Sequence, residues 1–310
     1  MRSSGRILGC SGLKQHLEAS LRISEFGINV EARSIPISFS NESKILSFIT
    51  INFAGHSFRM DASNDMDLVA RQIASGSYEA PLPFLMMAAL LRMDGLFVDV
   101  GANTGVYTVM AGTIACDRRI IAFEPLLPVI EILKRNLAGN DLTGRVTLIE
   151  AALSEHVGTA DLHLPDPGHG LIETSASLEQ GFQKTHSTIQ VPVKRLDDFA
   201  IRDTIAVIKV DIEGHEHAFL RGARETILLH RPIIFAEVVK PARRSAIGAF
   251  LHDVGYIDFR LRPDMAIHDG EVLFDDAAWN HALVPSERLT KFKEVCDACN
   301  LPMLRRFQLV

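Results

Sequence analysis

Leu96-Phe97-Val98-Asp99-Val100-Gly101-Ala102-Asn103-Thr104-Gly105 is the stretch whose reading decides the fold. A short apolar run with one acid near its end, followed by glycines spaced G-x-x-x-G, predicts a buried strand entering a tight turn. Val106 to Ile114 continues as a helix. The same alternation repeats downstream: Arg119-Ile120-Ile121-Ala122-Phe123-Glu124 is a strand, Pro128 to Leu137 a helix with its proline in the first turn, and Val146-Thr147-Leu148-Ile149 a third strand. Ile205 to Val210 and Pro232 to Ala236 make a fourth and fifth strand around a helix from Gly214 to His230, and a helix over 242–253 follows. Tyr256 to Leu261 and Val272-Leu273-Phe274 are the expected closing strands. Strands alternating with helices predict an α/β protein, a mostly parallel sheet covered on both faces.

Upstream the period changes to two, as in Ser34-Ile35-Pro36-Ile37-Ser38-Phe39 and Ile45 to Phe53, with Asn41 as a turn between them. A small N-terminal β extension over 1–60 is therefore expected, then a main domain over 61–284 opened by helices from Met66 to Ile73 and Pro83 to Leu91, and a C-terminal tail over 285–310. Pro165-Asp166-Pro167-Gly168 and the polar stretch through His186 predict a long loop or lid.

The chain has 310 residues, 32 Lys+Arg against 38 Asp+Glu and a net charge of −6, which gives no bulk attraction to nucleic acid and suits a small-molecule or uncharged acceptor. The run Leu82 to Leu91 stops at Arg92, too short for a transmembrane helix. Glycines and serines interrupt the signal-like stretch from Arg2 to Leu13. Cys10, Cys116, Cys296 and Cys299 include a single C-x-x-C, so free thiols and a cytoplasmic location are expected.

In an open α/β sheet ligands bind where the strands end. Gly101 and Gly105 let a backbone turn approach a ligand, and Glu124, ending the next strand, can accept hydrogen bonds from both ribose hydroxyls of an adenosine. A nicotinamide dinucleotide would need its pyrophosphate behind G-x-G-x-x-G, and Asn103 stands where the middle glycine belongs. The carboxylate of Asp99 favours a cationic ligand, and S-adenosylmethionine, with a sulfonium and an ammonium, fits. Asn103 is then placed to hold the methionine carboxylate, and Ala151 and Ala152 to flank the adenine.

These residues, together with Ala122-Phe123-Glu124-Pro125, Leu196-Asp197-Asp198-Phe199, Ile208-Lys209-Val210-Asp211-Ile212-Glu213-Gly214-His215-Glu216, Gly76-Ser77-Tyr78-Glu79 and Phe235-Ala236-Glu237-Val238, resemble the FkbM-type methyltransferases, members of the Rossmann-like class I group. The resemblance runs from about Asp61 to Val284. It implies a seven-stranded, mostly parallel sheet, S-adenosylmethionine as cofactor with Glu79 added to its site, and O-methylation of a saccharide or glycosylated metabolite.

Asp211, at the end of the fourth strand, is the expected group to orient and deprotonate an acceptor hydroxyl, with Glu213, His215 and Glu237 as further catalytic candidates. Lys209 is expected to pair with a strand-end carboxylate, and Glu216 and His217 to be structural. Read as helical, the segment 211–217 points its side chains apart and keeps His215 and His217 off a common face, so no metal site is expected. Two other readings stand beside this one: a nicotinamide-dependent oxidoreductase, and a non-catalytic module binding saccharide or protein through the N-terminal β segment.

Overall fold

The computed structural model describes residues 29–34, 47–62, 79–165, 176–182 and 184–306. The expected turn at Asn41, the helix from Met66 to Ile73, Gly76 to Tyr78, Cys10 and His169 lie outside them.

Strands β1 (Asn29–Ser34), β2 (Ser47–Phe53) and β3 (His56–Asp61) form an antiparallel sheet. Then come α1 (Leu82–Arg92), β4 (Leu96–Val100), α2 (Val106–Ile114), β5 (Ile120–Phe123), α3 (Leu127–Gly139) and β6 (Val146–Ile149). An arm of β7 (Ala152–Leu153), β8 (Gly158–Pro165) and β9 (Thr185–Lys194) precedes β10 (Ile205–Val210), α4 (Glu216–Gly222), α5 (Arg224–His230) and β11 (Ile233–Glu237). The chain continues through α6 (Arg244–Val254), β12 (Tyr256–Arg262), β13 (Met265–His268), β14 (Asn280–Pro285), α7 (Leu289–Ala298) and β15 (Met303–Arg305).

The main sheet has nine strands in the order β15-β13-β12-β14-β11-β10-β4-β5-β6, where seven were expected. The seven from β12 to β6 are contiguous, parallel except for β14, and β13 and β15 extend one edge. The fold is Rossmann-like. From β4 the chain steps outward through β5 and β6, then returns to start the other half at β10, so the order reverses between β4 and β10. Alternation in β4 explains its burial on both faces: Phe97 joins a core with α1, α2 and α7, whereas Leu96, Val98 and Val100 join the core under α4 and α6.

Three expectations are corrected. Val272-Leu273-Phe274 is not a strand, and β14 closes the sheet instead. The stretch read as a loop from Pro165 to His186 is flanked by the β8–β9 hairpin, whose exposed polar side chains hide its strands from a hydrophobic pattern. Cys116 is disulfide-bonded, while Cys296 and Cys299 are buried free thiols whose pKa burial pushes up. Residues after Val284 continue the body: α7 buries Phe292, Val295 and Cys296, and β15 pairs with β13. No helix among the described residues is long and apolar enough to cross a membrane.

Asn136 ties the N-terminal sheet to the glycine turn. Fully buried on α3, it accepts the Asp61 N–H at 2.6 Å and donates to the Thr104 carbonyl at 2.7 Å. Asn136→Ala leaves both groups without this partner, at about 1–3 kcal/mol each. The expected result is a lower denaturant midpoint, read by circular dichroism.

Candidate functional site

The turn after β4 abuts the turn after β10. Gly101 has φ +74°, and a Cβ there would lie 1.9 Å from the Asp211 carbonyl oxygen, so only glycine allows the approach. Asp211 N–H in turn donates to the Val100 carbonyl at 3.0 Å. Gly105, φ +90°, begins α2 beneath Leu133, whose Cδ1 would be 2.1 Å from an added Cβ.

Gly101, Asn103, Glu124, Ala151, Ala152 and Asp211 line one cavity of about 670 Å³. Its apolar wall includes Leu126, Val129, Leu162, Ala176 and Leu178. Glu124 is 7% exposed and accepts the N–H groups of Asn103 at 2.9 Å and Leu126 at 3.0 Å. Burial pushes its pKa up to about 7 against the pull of those two bonds.

Three of the expected cofactor residues lie elsewhere. Asp99 is wholly buried behind the turn, where its Oδ2 accepts the Thr108 hydroxyl at 2.6 Å and burial raises its pKa. Gly105 serves packing. Glu79 lines a second cavity and accepts the Tyr107 hydroxyl at 2.6 Å.

Asp211, Glu213 and Glu237 converge, each presenting an oxygen within 4.8 Å of the others. The expectation that spacing keeps this segment's side chains apart fails because 211–215 is not helical. Glu213 has φ +55° and Gly214 +97°, α4 starts only at Glu216, and Glu237 arrives from β11. Buried Glu216 shapes this turn, its Oε1 accepting the N–H groups of Ile212 and Gly214 at 3.3 and 3.1 Å. Burial, then the charges of Asp211 and Glu213, push Glu237 well above the usual carboxylate range, and it hydrogen-bonds Asp211. Lys209 donates to Asp211 Oδ2 at 3.0 Å, as expected, and rests over the Tyr107 ring. Burial works against its ammonium, but Asp211, Asp99 and Glu79 outweigh that and raise its pKa.

His215 also lines the first cavity, with both ring nitrogens engaged: Nδ1 meets Glu179 Oε1 at 2.7 Å and Nε2 meets Ser154 Oγ at 2.8 Å. Its ring lies 5.7 Å from that of His217, centroid to centroid, so the two rings, expected on separate faces, meet edge to face. Ser177 Oγ donates to the Glu213 carbonyl at 2.8 Å. Residues 176–182 are thereby strapped across the cavity. Sequence reading missed Ser154, Glu179 and the apolar wall; the alternation Ala176-Ser177-Leu178 was the one available signal.

A model of the methyltransferase FkbM domain matches residues 99–257, just over half of the chain and the whole of this site. The chain belongs to the FkbM methyltransferase family. This methyltransferase is 28% identical over 206 residues to methyltransferase sdnD of Sordaria araneosa, covering 57% of this chain and 80% of that protein. It is 27% identical over 146 residues to methyltransferase 1 of Beauveria bassiana, covering 42% of this chain and 58% of that one. Among solved structures it is similar to the methyltransferase FkbM from Methylobacillus flagellatus, with 15% identity, a TM-score of 0.40, and coverage of 69% of this chain and 59% of that one.

In this methyltransferase Gly101→Ala is expected to lower the melting temperature, at about 1–3 kcal/mol for the left-handed backbone alone and more for the clash. Gly144→Ala, where nothing lies within 4 Å of an added Cβ, serves as the control. Equal melting of the two variants would disprove the packing argument.

Proposed function

We propose that this methyltransferase uses S-adenosylmethionine to methylate a hydroxyl on a saccharide or glycosylated metabolite. The observation that carries the reading is the placement of Glu124 and the Gly101 turn in one cavity with Asp211, a carboxylate hydrogen-bonded to Glu237. The cavity wall fits the group: carboxylates Glu124, Asp211 and Glu213 face it, with no Lys or Arg among the described residues that line it. That suits a cationic ligand and opposes the pyrophosphate of a nicotinamide dinucleotide.

When bound, S-adenosylmethionine supplies an electrophilic methyl group on a sulfonium. On this reading Glu124 accepts the ribose hydroxyls, the backbone at Gly101 and Asn103 takes the methionine end, and Ala151 and Ala152 flank the adenine beside Leu126 and Val129. Asp211 orients the acceptor hydroxyl and takes its proton. Glu237, pushed toward its neutral form by burial, hydrogen-bonds Asp211, and Lys209 pairs with Asp211 from the other side of the strand end. Glu213 adds a third oxygen beside them. His215, held between Glu179 and Ser154, positions the strap over the cavity.

The trio could also hold a divalent cation, but Lys209 already pairs with Asp211 and Glu237 is pushed toward its neutral form. Exhaustive chelation is therefore expected to leave turnover unchanged, checked by methyl transfer before and after magnesium is restored.

Glu124 titrates near 7 in the free protein. Below that pH it is protonated and a weaker acceptor, so affinity for S-adenosylmethionine is expected to fall up to about 10-fold between pH 8 and 6. Glu124→Ala should weaken binding about 10- to 150-fold and flatten this dependence, as calorimetry would show.

Asp211→Asn tests the base. Turnover should drop about 10²-fold or more while affinity for S-adenosylmethionine changes only a few-fold. A wild-type rate would remove Asp211 from the reaction, and equal losses would move it into the cofactor site.

A further inference from the structure

Residues 176–182 touch both the cofactor cavity and the carboxylate turn. Ala176 and Leu178 line the first cavity, together with Leu162 of β8. Between them Ser177, only 2% exposed, reaches the turn instead: its hydroxyl donates to the Glu213 carbonyl at 2.8 Å. The backbone there is pinned to β8, because Ser177 exchanges two hydrogen bonds with His163, at 2.8 and 3.1 Å. The direction of the hydroxyl proton is set as well. Ser177 Oγ accepts the Glu179 N–H at 2.9 Å, and a hydroxyl has a single proton to give, which here goes to Glu213.

The turn that Ser177 reaches is the one that gathers the carboxylates. Glu213 holds φ +55° and Gly214 +97°, and a left-handed backbone at a residue other than glycine persists only where its surroundings fix it. Glu216 fixes the N–H groups of Ile212 and Gly214, while the strap fixes the Glu213 carbonyl and covers the glycine. A Cβ on Gly214 would lie 3.5 Å from Phe182 Cδ2 and 4.0 Å from Glu179 Cγ, so the strap rests directly on this residue. His215, the next in the chain, meets Glu179 at 2.7 Å, and Arg243 reaches the same carboxylate at 3.5 Å.

We infer that Ser177 is a positioning residue for methyl transfer: its hydroxyl holds the turn in the shape that gathers Asp211, Glu213 and Glu237, and Leu178 beside it makes that shape respond to a ligand in the first cavity. The inference rests on the methyl-transfer reading and adds to it a link between the cofactor and the carboxylates. A ligand shifts an equilibrium only through contacts that differ between the two states. Ala176 and Leu178 supply that difference, since they wall the cavity only while the strap lies across it. Coupling of this kind is reciprocal, so the ligand steadies the turn and the turn steadies the ligand. The donor, once bound, thereby sets the carboxylates in place for the acceptor.

The test is amide hydrogen exchange of the full chain, read by mass spectrometry over 176–182, 211–216 and, at the Glu124 carboxylate, 122–126. In the parent, S-adenosylhomocysteine at about 100 times its dissociation constant is expected to slow exchange about 10-fold or more in all three segments. Ser177→Ala should still bind the ligand, weakened up to about 10-fold by calorimetry. It should keep the slowing over 122–126 and lose it over 211–216, whereas a merely structural role would lower protection in both, with or without ligand. Ser177→Thr, which keeps a hydroxyl, should restore the slowing. Should Ser177→Ala fold poorly, Leu178→Ala, which trims the cavity contact alone, is expected to give the same loss over 211–216. The inference is overturned by a parent whose turn does not respond while 122–126 does, by an alanine variant that keeps the response, or by Ser177→Thr losing it as Ser177→Ala does. A parent that fails to bind S-adenosylhomocysteine would overturn the methyl-transfer reading and this inference with it.

Discussion

The Asp211 carbonyl oxygen occupies the space that a side chain at Gly101 would need, 1.9 Å from where its Cβ would sit. The two turns that leave β4 and β10 are thus packed backbone to backbone at the point where the strand order reverses. Everything about the site's geometry descends from this contact. It puts the glycine turn, with Glu124 hydrogen-bonded to Asn103, beside the carboxylate that ends β10. It also puts Glu237, one strand further, within reach of Asp211. A bulkier residue at 101 would force the strands apart and lengthen the path between the two cavities.

The same packing concentrates charge in a dry place. Asp99, Lys209 and Glu124 are buried, with Asp211 and Glu237 beside them. Separated carboxylates here would each carry a desolvation cost, and the arrangement meets it in three ways. Lys209 pairs with Asp211 and rests over the Tyr107 ring, which passes its hydroxyl to Glu79. Glu237 is held toward its neutral form. Glu124 and Glu216 each accept two backbone N–H groups. Within the trio, Asp211 is paired with Lys209 while Glu237 is pushed toward its neutral form, so the carboxylates are not equivalent.

What the sequence disclosed follows from the range over which residues interact. The parallel core was legible because strands buried on both faces are continuous apolar runs, and β4, β10 and β11 fall close to the expected bounds. Gly101, Asn103, Glu124, Ala151 and Ala152 were legible because they stand at strand ends, and one cavity collects them. The convergence of Asp211 with Glu213 and Glu237 was not, because it depends on a left-handed backbone at Glu213, which no hydrophobic period reports. Glu79 lines a second cavity, and the hydrogen bond it accepts from Tyr107 joins residues far apart in the chain, which no hydrophobic period reports. The hairpin β8–β9 escaped because eight of the ten β9 residues are exposed and the first six show no alternation.

The sheet also divides what a substitution can reach. The rim of the second cavity from Asp275 to Asn280 is held by Arg260, by Arg262 and by the pairing of β14 with β11, so a change there leaves the Gly101–Asp211 contact and the Glu124 hydrogen bonds untouched. Changes at Gly101 or Asn136 cannot be confined in this way, because they act through the turn against which Asp211 is packed.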